Sequence, residues 1–212
     1  MIRAQKGGLL GLFWKRYVRF AVRRAFRGVW VRGPAPVPRE RLLFYASHPS
    51  WWDGFAFHEL ALALGLDPYC VMEERQLARF PFLRRLGAFS IRRGDARSAL
   101  GTLRYAARLL DVPRAAVAIF PQGVMQPNVA PPLELERGVE VLARAAKAVC
   151  VPLAIRLVHL EDRRPDLLLE LGPAHGPEAL ERFQLGLEGP VRSLATAGSL
   201  DGFSPLSSLA QT

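Results

Sequence analysis

Leu42-Leu43-Phe44-Tyr45-Ala46-Ser47-His48-Pro49-Ser50-Trp51-Trp52-Asp53-Gly54 is the stretch on which the reading of the fold turns. Residues 42–46 form an apolar run of strand length, and residues 53–64 take a helical period. Strand, turn and helix in that order make one unit of an α/β fold. His48 then stands just before the helix, and Asp53 projects from its first turn, close enough to meet the imidazole. That is a base with an orienting carboxylate, in which Asp53 fixes the tautomer and steadies the cation formed when His48 takes a proton. Ser50-x-x-Asp53 also reads as a capping box, which needs no catalytic histidine.

The alternation continues outward. Further strands are expected at 69–72, 89–91, 116–120, 151–157 and 167–171, and helices at 75–86, 96–110 and 135–148. The pattern predicts an α/β fold with a mixed, largely parallel sheet covered by helices and with function at the strand ends. Residues 40–185 make up the expected body. Residues 186–212 are rich in Gly, Ser and Leu, and a loosely structured tail is expected there. Two cysteines, Cys70 and Cys150, lie eighty residues apart with no second Cys or His at ligand spacing. No metal site or disulfide framework is expected, and a reducing compartment is.

The net charge of +10 is an N-terminal feature: residues 1–39 hold ten basic side chains and no acid, and residues 40–212 hold nineteen of each sign. On a helical wheel over 10–27, Leu10, Phe13, Trp14, Tyr17, Val18, Phe20, Ala21 and Ala25 share one arc. Lys15, Arg16, Arg19, Arg23 and Arg27 share the opposite one, and Arg24 intrudes on the apolar side. Residues 1–39 thus read as a basic amphipathic N-terminal helix followed by a Pro-rich hinge at 33–38. Aromatic rings facing lipid and cations facing phosphate suit an anionic membrane surface, whereas a helix docked on the body explains the same pattern. A nucleic-acid partner would rest on the charge alone and is not expected. No run is long and apolar enough to span a bilayer: the longest charge-free one, residues 115–133, contains four prolines.

Four segments in order, His48-x4-Asp53, Gly87-Ala88-Phe89-Ser90-Ile91-Arg92-Arg93, Phe120-Pro121-Gln122-Gly123 and Val151-Pro152-Leu153-Ala154, resemble the four blocks of the glycerophosphate and lysophospholipid acyltransferase family. The resemblance spans residues 40–175. It implies that His48 is the general base that activates an acceptor hydroxyl for attack on an acyl thioester, with Asp53 as its partner. It also implies that Arg93, and less so the neighbouring Arg92, hold an anionic group of the acceptor, with Gln122 and Gly123 beside them. Acyl-CoA or acyl carrier protein would be the co-substrate, no other cofactor is implied, and the expected place is peripheral, at the cytoplasmic face of the membrane.

The third block departs from the family. Gln122 stands where Glu is usual, and Val124 and Met125 stand where Thr and Arg follow the glycine. A carboxylate and a cation are missing together, which points away from a simple glycerol-phosphate acceptor. Trp51-Trp52-Asp53 and Phe120-Pro121-Gln122-Gly123 also resemble sequences of bacterial pigment clusters, which implies a carotenoid or a glycolipid as acceptor. The reading from another class is a lipid-binding member of the same fold without catalysis, for which the altered third block speaks and against which the intact His48 and Asp53 speak.

Overall fold

The computed structural model describes residues 1–34, 40–127, 129–160 and 162–211; residues 35–39, most of the expected hinge, lie outside the described residues. An N-terminal helix α1 (Gly8–Ala25) precedes strand β1 (Val29–Arg32), β2 (Leu42–Ala46), α2 (Asp53–Ala63), β3 (Asp67–Glu73), α3 (Glu74–Arg79) and β4 (Ala88–Ile91). Then follow α4 (Ala96–Leu110), β5 (Ala115–Ile119), α5 (Gly138–Ala146), β6 (Val149–Val158), β7 (Asp166–Leu171), α6 (Leu180–Ala195) and the short β8 (Ser204–Pro205). The strands form one sheet in the order β4-β3-β5-β2-β6-β7-β1-β8. From β4 to β6 every neighbour is parallel; β7 runs antiparallel to β6, β1 parallel to β7, and β8 antiparallel to β1.

β2 is the centre, with all five residues buried. Its alternation feeds two cores: Leu42, Phe44 and Ala46 face α1 and α2, whereas Leu43 and Tyr45 face α4, α5 and α6. Because β2 to β5 are parallel, the segments that follow them emerge at one edge, and His48, Arg93 and Gln122 all come from that edge.

Two expectations are corrected, and one strand is found that the sequence reading did not place. The helix read over 75–86 ends at Phe80, and a 3₁₀ helix (Pro81–Leu86) takes over, because Pro81 lacks an amide hydrogen and disfavours helical geometry in the residue before it. Of the tail read as loose over 186–212, residues 186–195 complete α6, whose Phe183, Leu187, Val191 and Leu194 recur at helical spacing and are buried, and β8 and a 3₁₀ helix (Leu206–Gln211) follow. β1 was hidden between a basic helix and the prolines. Its partner, β7, begins more than a hundred residues later.

α1 divides the single apolar arc read from the wheel. Gly11, Val18 and Val22 are buried against the body, and Trp14 stacks on Phe82 with ring centroids 4.4 Å apart. Leu9, Leu10, Phe13, Tyr17 and Phe20 point to solvent, Leu9 with 87% and Phe20 with 62% of its surface exposed. The basic head is also divided. Lys6 pairs with Asp67, Arg19 with Glu59, Arg27 with Asp166 and Arg32 with Glu170, whereas Lys15, Arg16, Arg23 and Arg24 make no ion pair among the described residues. No helix of the described residues is long and apolar enough to cross a membrane.

Tyr45 carries a second tie. Its hydroxyl lies 2.8 Å from His175 Nε2, and His175 Nδ1 lies 2.7 Å from the Gly176 carbonyl. A carbonyl only accepts, so Nδ1 holds the proton and Nε2 accepts from Tyr45. Burial lowers the His175 pKa below 6.5 and Arg182 adds to this, against the raising effects of the Gly176 carbonyl and Glu178. A histidine with a lowered folded pKa favours folding in its neutral form; its contribution is complete above the unfolded value and is lost as pH falls from 6.5 toward the folded one. Denaturant unfolding is therefore expected to show stability declining as pH falls below 6.5, with a smaller slope in His175→Gln. Equal slopes in both proteins would remove this role for His175.

Candidate active site

The turn between β2 and α2 is built around one carboxylate. Asp53 is fully buried, and its Oδ2 lies 2.7 Å from His48 Nδ1. The same oxygen accepts the Ser50 amide at 2.8 Å, and Oδ1 accepts the Ser50 hydroxyl at 2.6 Å. The Ser50 contacts fix the carboxylate that orients the imidazole, but Ser50 does not cap the helix: the residue before α2 is Trp52, which makes no side-chain capping bond. As the carboxylate is the acceptor, Nδ1 carries the hydrogen and the Nε2 lone pair is left for a substrate. No protein group among the described residues bonds Nε2, and the His48 side chain keeps 24% of its surface exposed.

Two more contacts hold the base. The Phe120 ring stacks on the imidazole, with centroids 4.5 Å apart and planes 26° from parallel. Gln122, buried, accepts the His48 amide through Oε1 at 2.9 Å and donates through Nε2 to Gln126 Oε1 at 2.6 Å, while the Gln126 amide donates to the His48 carbonyl at 2.8 Å. The side chain of Gln122 is therefore occupied as a brace between two loops.

His48 opens on a cavity of about 460 Å³ between α2, β3, β4 and the 3₁₀ helix. Its walls are largely apolar, with Phe55, Phe57, Val71, Met72, Leu83 and Leu86 among them. Trp51 lines it and packs edge-on to Phe80 at 5.0 Å, whereas Trp52 turns to Phe26 in the core at 5.2 Å. His58 is also in the wall, 4% exposed, with Nδ1 3.2 Å from Glu59.

The two arginines of the second block part company in the segment that turns away after β4 ends at Ile91. Arg93 lines the cavity, and its Nη2 donates to Glu136 Oε1 at 2.6 Å. Arg92 turns to Glu74, donating at 3.1 and 2.5 Å, and lies 3.6 Å from Asp95. Hydrogen bonds from Arg92 and Ser90 lower the Glu74 carboxyl to about 2. Gly123 lies directly under the Arg93 and Glu136 pair at φ +72°; any Cβ there would overlap both side chains. Among the described residues no three His, Cys, Asp or Glu side chains are grouped as metal ligands.

Glu136 and Phe120 are the participants that the sequence alone did not assign. Phe120 was visible within its block, but nothing local announced that it would cover His48. Glu136 lies 43 positions from Arg93, and the pairing depends on the path of the chain between β5 and α5.

The sequence profile of the acyltransferase family matches residues 28–156, more than half of the chain and the whole of the dyad, the Arg93 segment and the Gln122 loop. Among solved structures, the fold is similar to that of the 1-acyl-sn-glycerophosphate (LPA) acyltransferase PlsC from Thermotoga maritima. That match has a TM-score of 0.58 and 16% sequence identity, covering 86% of this chain and 77% of that one. Among curated proteins no match is found.

Proposed function

The chain belongs to the acyltransferase family, and from that membership we propose that it moves a fatty acyl group from an acyl thioester, on coenzyme A or acyl carrier protein, to a hydroxyl of a lipid-like acceptor. The observation that carries the mechanism is the imidazole of His48, tied through Nδ1 to buried Asp53 and open at Nε2 to an apolar cavity. Nε2 takes the acceptor's hydroxyl proton as the oxygen attacks the thioester carbonyl. The new C–O bond forms, the C–S bond breaks, and the imidazolium returns the proton to the departing thiolate. Asp53 stabilises the cation between these steps. Attack is direct: the Ser50 hydroxyl in the same turn is bonded to Asp53, not to the base. The cavity walls accommodate the acyl chain by apolar burial.

Incubation with labelled acyl-CoA and a panel of hydroxyl acceptors tests the reading. Stoichiometric release of thiol with formation of labelled ester is expected; thioester consumption without ester, or neither, would overturn it.

In the same proposal the protein works peripherally at the cytoplasmic face of a membrane, with α1 in the headgroup plane. Support comes from the uncovered row Leu9, Leu10, Phe13, Tyr17 and Phe20 beside the unpaired Lys15, Arg16, Arg23 and Arg24. Deleting the helix is a poor test, because Val18, Val22 and Arg19 also hold the body. Phe13→Ala with Phe20→Ala leaves those contacts alone. Sedimentation with anionic vesicles is expected to weaken by about tenfold per ring, given the apolar area each withdraws from water. Binding equal to that of the parent at low salt would sink the membrane assignment.

A further inference from the structure

We infer that Arg93 and Glu136 form a receptor for a neutral, hydroxyl-rich acceptor head and select against phosphorylated ones; this rests on the acyl-transfer reading above. Among the described residues lining the cavity, Arg93 is the one Lys or Arg, while Glu73 and Glu136 are both acids. Arg92, the adjacent cation, faces Glu74 and Asp95 and contributes nothing to the cavity. Arg93 itself is already bound to a carboxylate at 2.6 Å.

The surrounding backbone brings the two partly exposed side chains together. The Glu136 amide donates to the Pro121 carbonyl at 2.7 Å, which sets Glu136 beside the Gln122 loop, and the bare backbone of Gly123 leaves room for both side chains above it. Gln122 brings no charge to the pair, and each end of its amide is bonded within the protein. Val124 and Met125 flank the pair as exposed apolar side chains.

A phosphate entering here would have to share one guanidinium with Glu136. Like charges a few ångström apart oppose it. A sugar-like head meets the opposite situation. Its hydroxyls donate to the lone pairs that Glu136 keeps free and accept from the N–H groups Arg93 has left, two complementary partners side by side. The apolar part of the acceptor then lies along Val124 and Met125.

Two measurements on the full-length protein and Glu136→Gln test this. Calorimetry with glycerol 3-phosphate, which needs no catalysis, is expected to show weak binding to the parent and about tenfold tighter binding to the variant, the scale of removing one like charge near a surface site. Turnover with one acyl-CoA should favour a long-chain alkyl glucoside over lysophosphatidate in the parent, and the ratio of kcat/KM should shift by about tenfold toward lysophosphatidate in the variant. Met125→Arg, which adds a cation beside the same loop, should shift it the same way. Glycerol 3-phosphate binding unchanged by Glu136→Gln, or a parent that prefers lysophosphatidate, overturns the inference. Absence of transfer to every acceptor overturns the acyl-transfer reading instead, and the calorimetric result still decides whether Glu136 excludes phosphate.

Discussion

Replacing His48 by alanine is expected to lower acyl transfer by about 10²–10⁴-fold, the usual contribution of a positioned general base, without loss of the fold. The imidazole is partly exposed, and its side-chain contacts are the Asp53 carboxylate and the Phe120 ring. Asp53 keeps both Ser50 contacts when the imidazole is gone, so the turn stays formed. Asp53→Asn is the more discriminating partner. Its amide oxygen can still accept from His48 and the Ser50 amide, with the Ser50 hydroxyl turned to accept, so the geometry survives and the charge alone is lost. A fall on the order of 10²-fold in kcat, with KM little changed, is expected if Asp53 stabilises imidazolium in the transition state. Parent-like turnover of His48→Ala would dismiss the proposed mechanism.

The second large effect is on stability. Asp166, at the start of β7, is fully buried; its Oδ1 accepts from Arg27 Nε at 3.0 Å and from Trp30 Nε1 at 2.8 Å, and its Oδ2 is ion-paired with Arg27 Nη2 at 2.8 Å. It thereby joins the end of α1, the strand β1 and the strand β7 at one point. Removing the buried carboxylate leaves the Trp30 indole N–H without its acceptor and breaks the ion pair with Arg27, at a cost of about 3 kcal/mol, the low end of the usual range because the Arg27 side chain is 24% exposed. For a chain of this length that is roughly a 6–12 °C fall in Tm. Asp166→Ala should show it by calorimetry or denaturant unfolding, while exposed Asp162→Ala should stay within about 0.5 kcal/mol of the parent. Equal stabilities of the two variants would mean that the buried carboxylate does not hold the N-terminal segment.

What the sequence disclosed follows from how local each signal is. The run 42–54 held strand, turn, base and carboxylate within thirteen residues, and the structure keeps all of them. The alternation of helix and strand from 53 to 171 was legible because each element buries a face with a regular period. Where chain-distant contacts decide, it was not. α1 was read with one apolar arc, yet the body covers only the sector around Gly11, Val18 and Val22. α6 looked loose because Gly186, Gly189 and Pro190 dominated its composition, while its buried residues had the right spacing. In the site, Arg93 was visible as a cation, but its neutralisation by Glu136 depended on a loop path that no periodicity encodes.

The position of β1 governs the timing of folding. Its neighbours are β7 and β8 alone, and Arg32 meets Glu170 across 138 positions of chain. At ordinary ribosomal speed, roughly 10–30 s separate the appearance of these two residues. Throughout that interval Val29 and Val31 form a nascent apolar edge with no strand to receive it, while the parallel centre from β2 to β5 assembles beside it. Closure of the first strand therefore has to wait until β7 has emerged, and until then its unpaired edge is open to association with other chains.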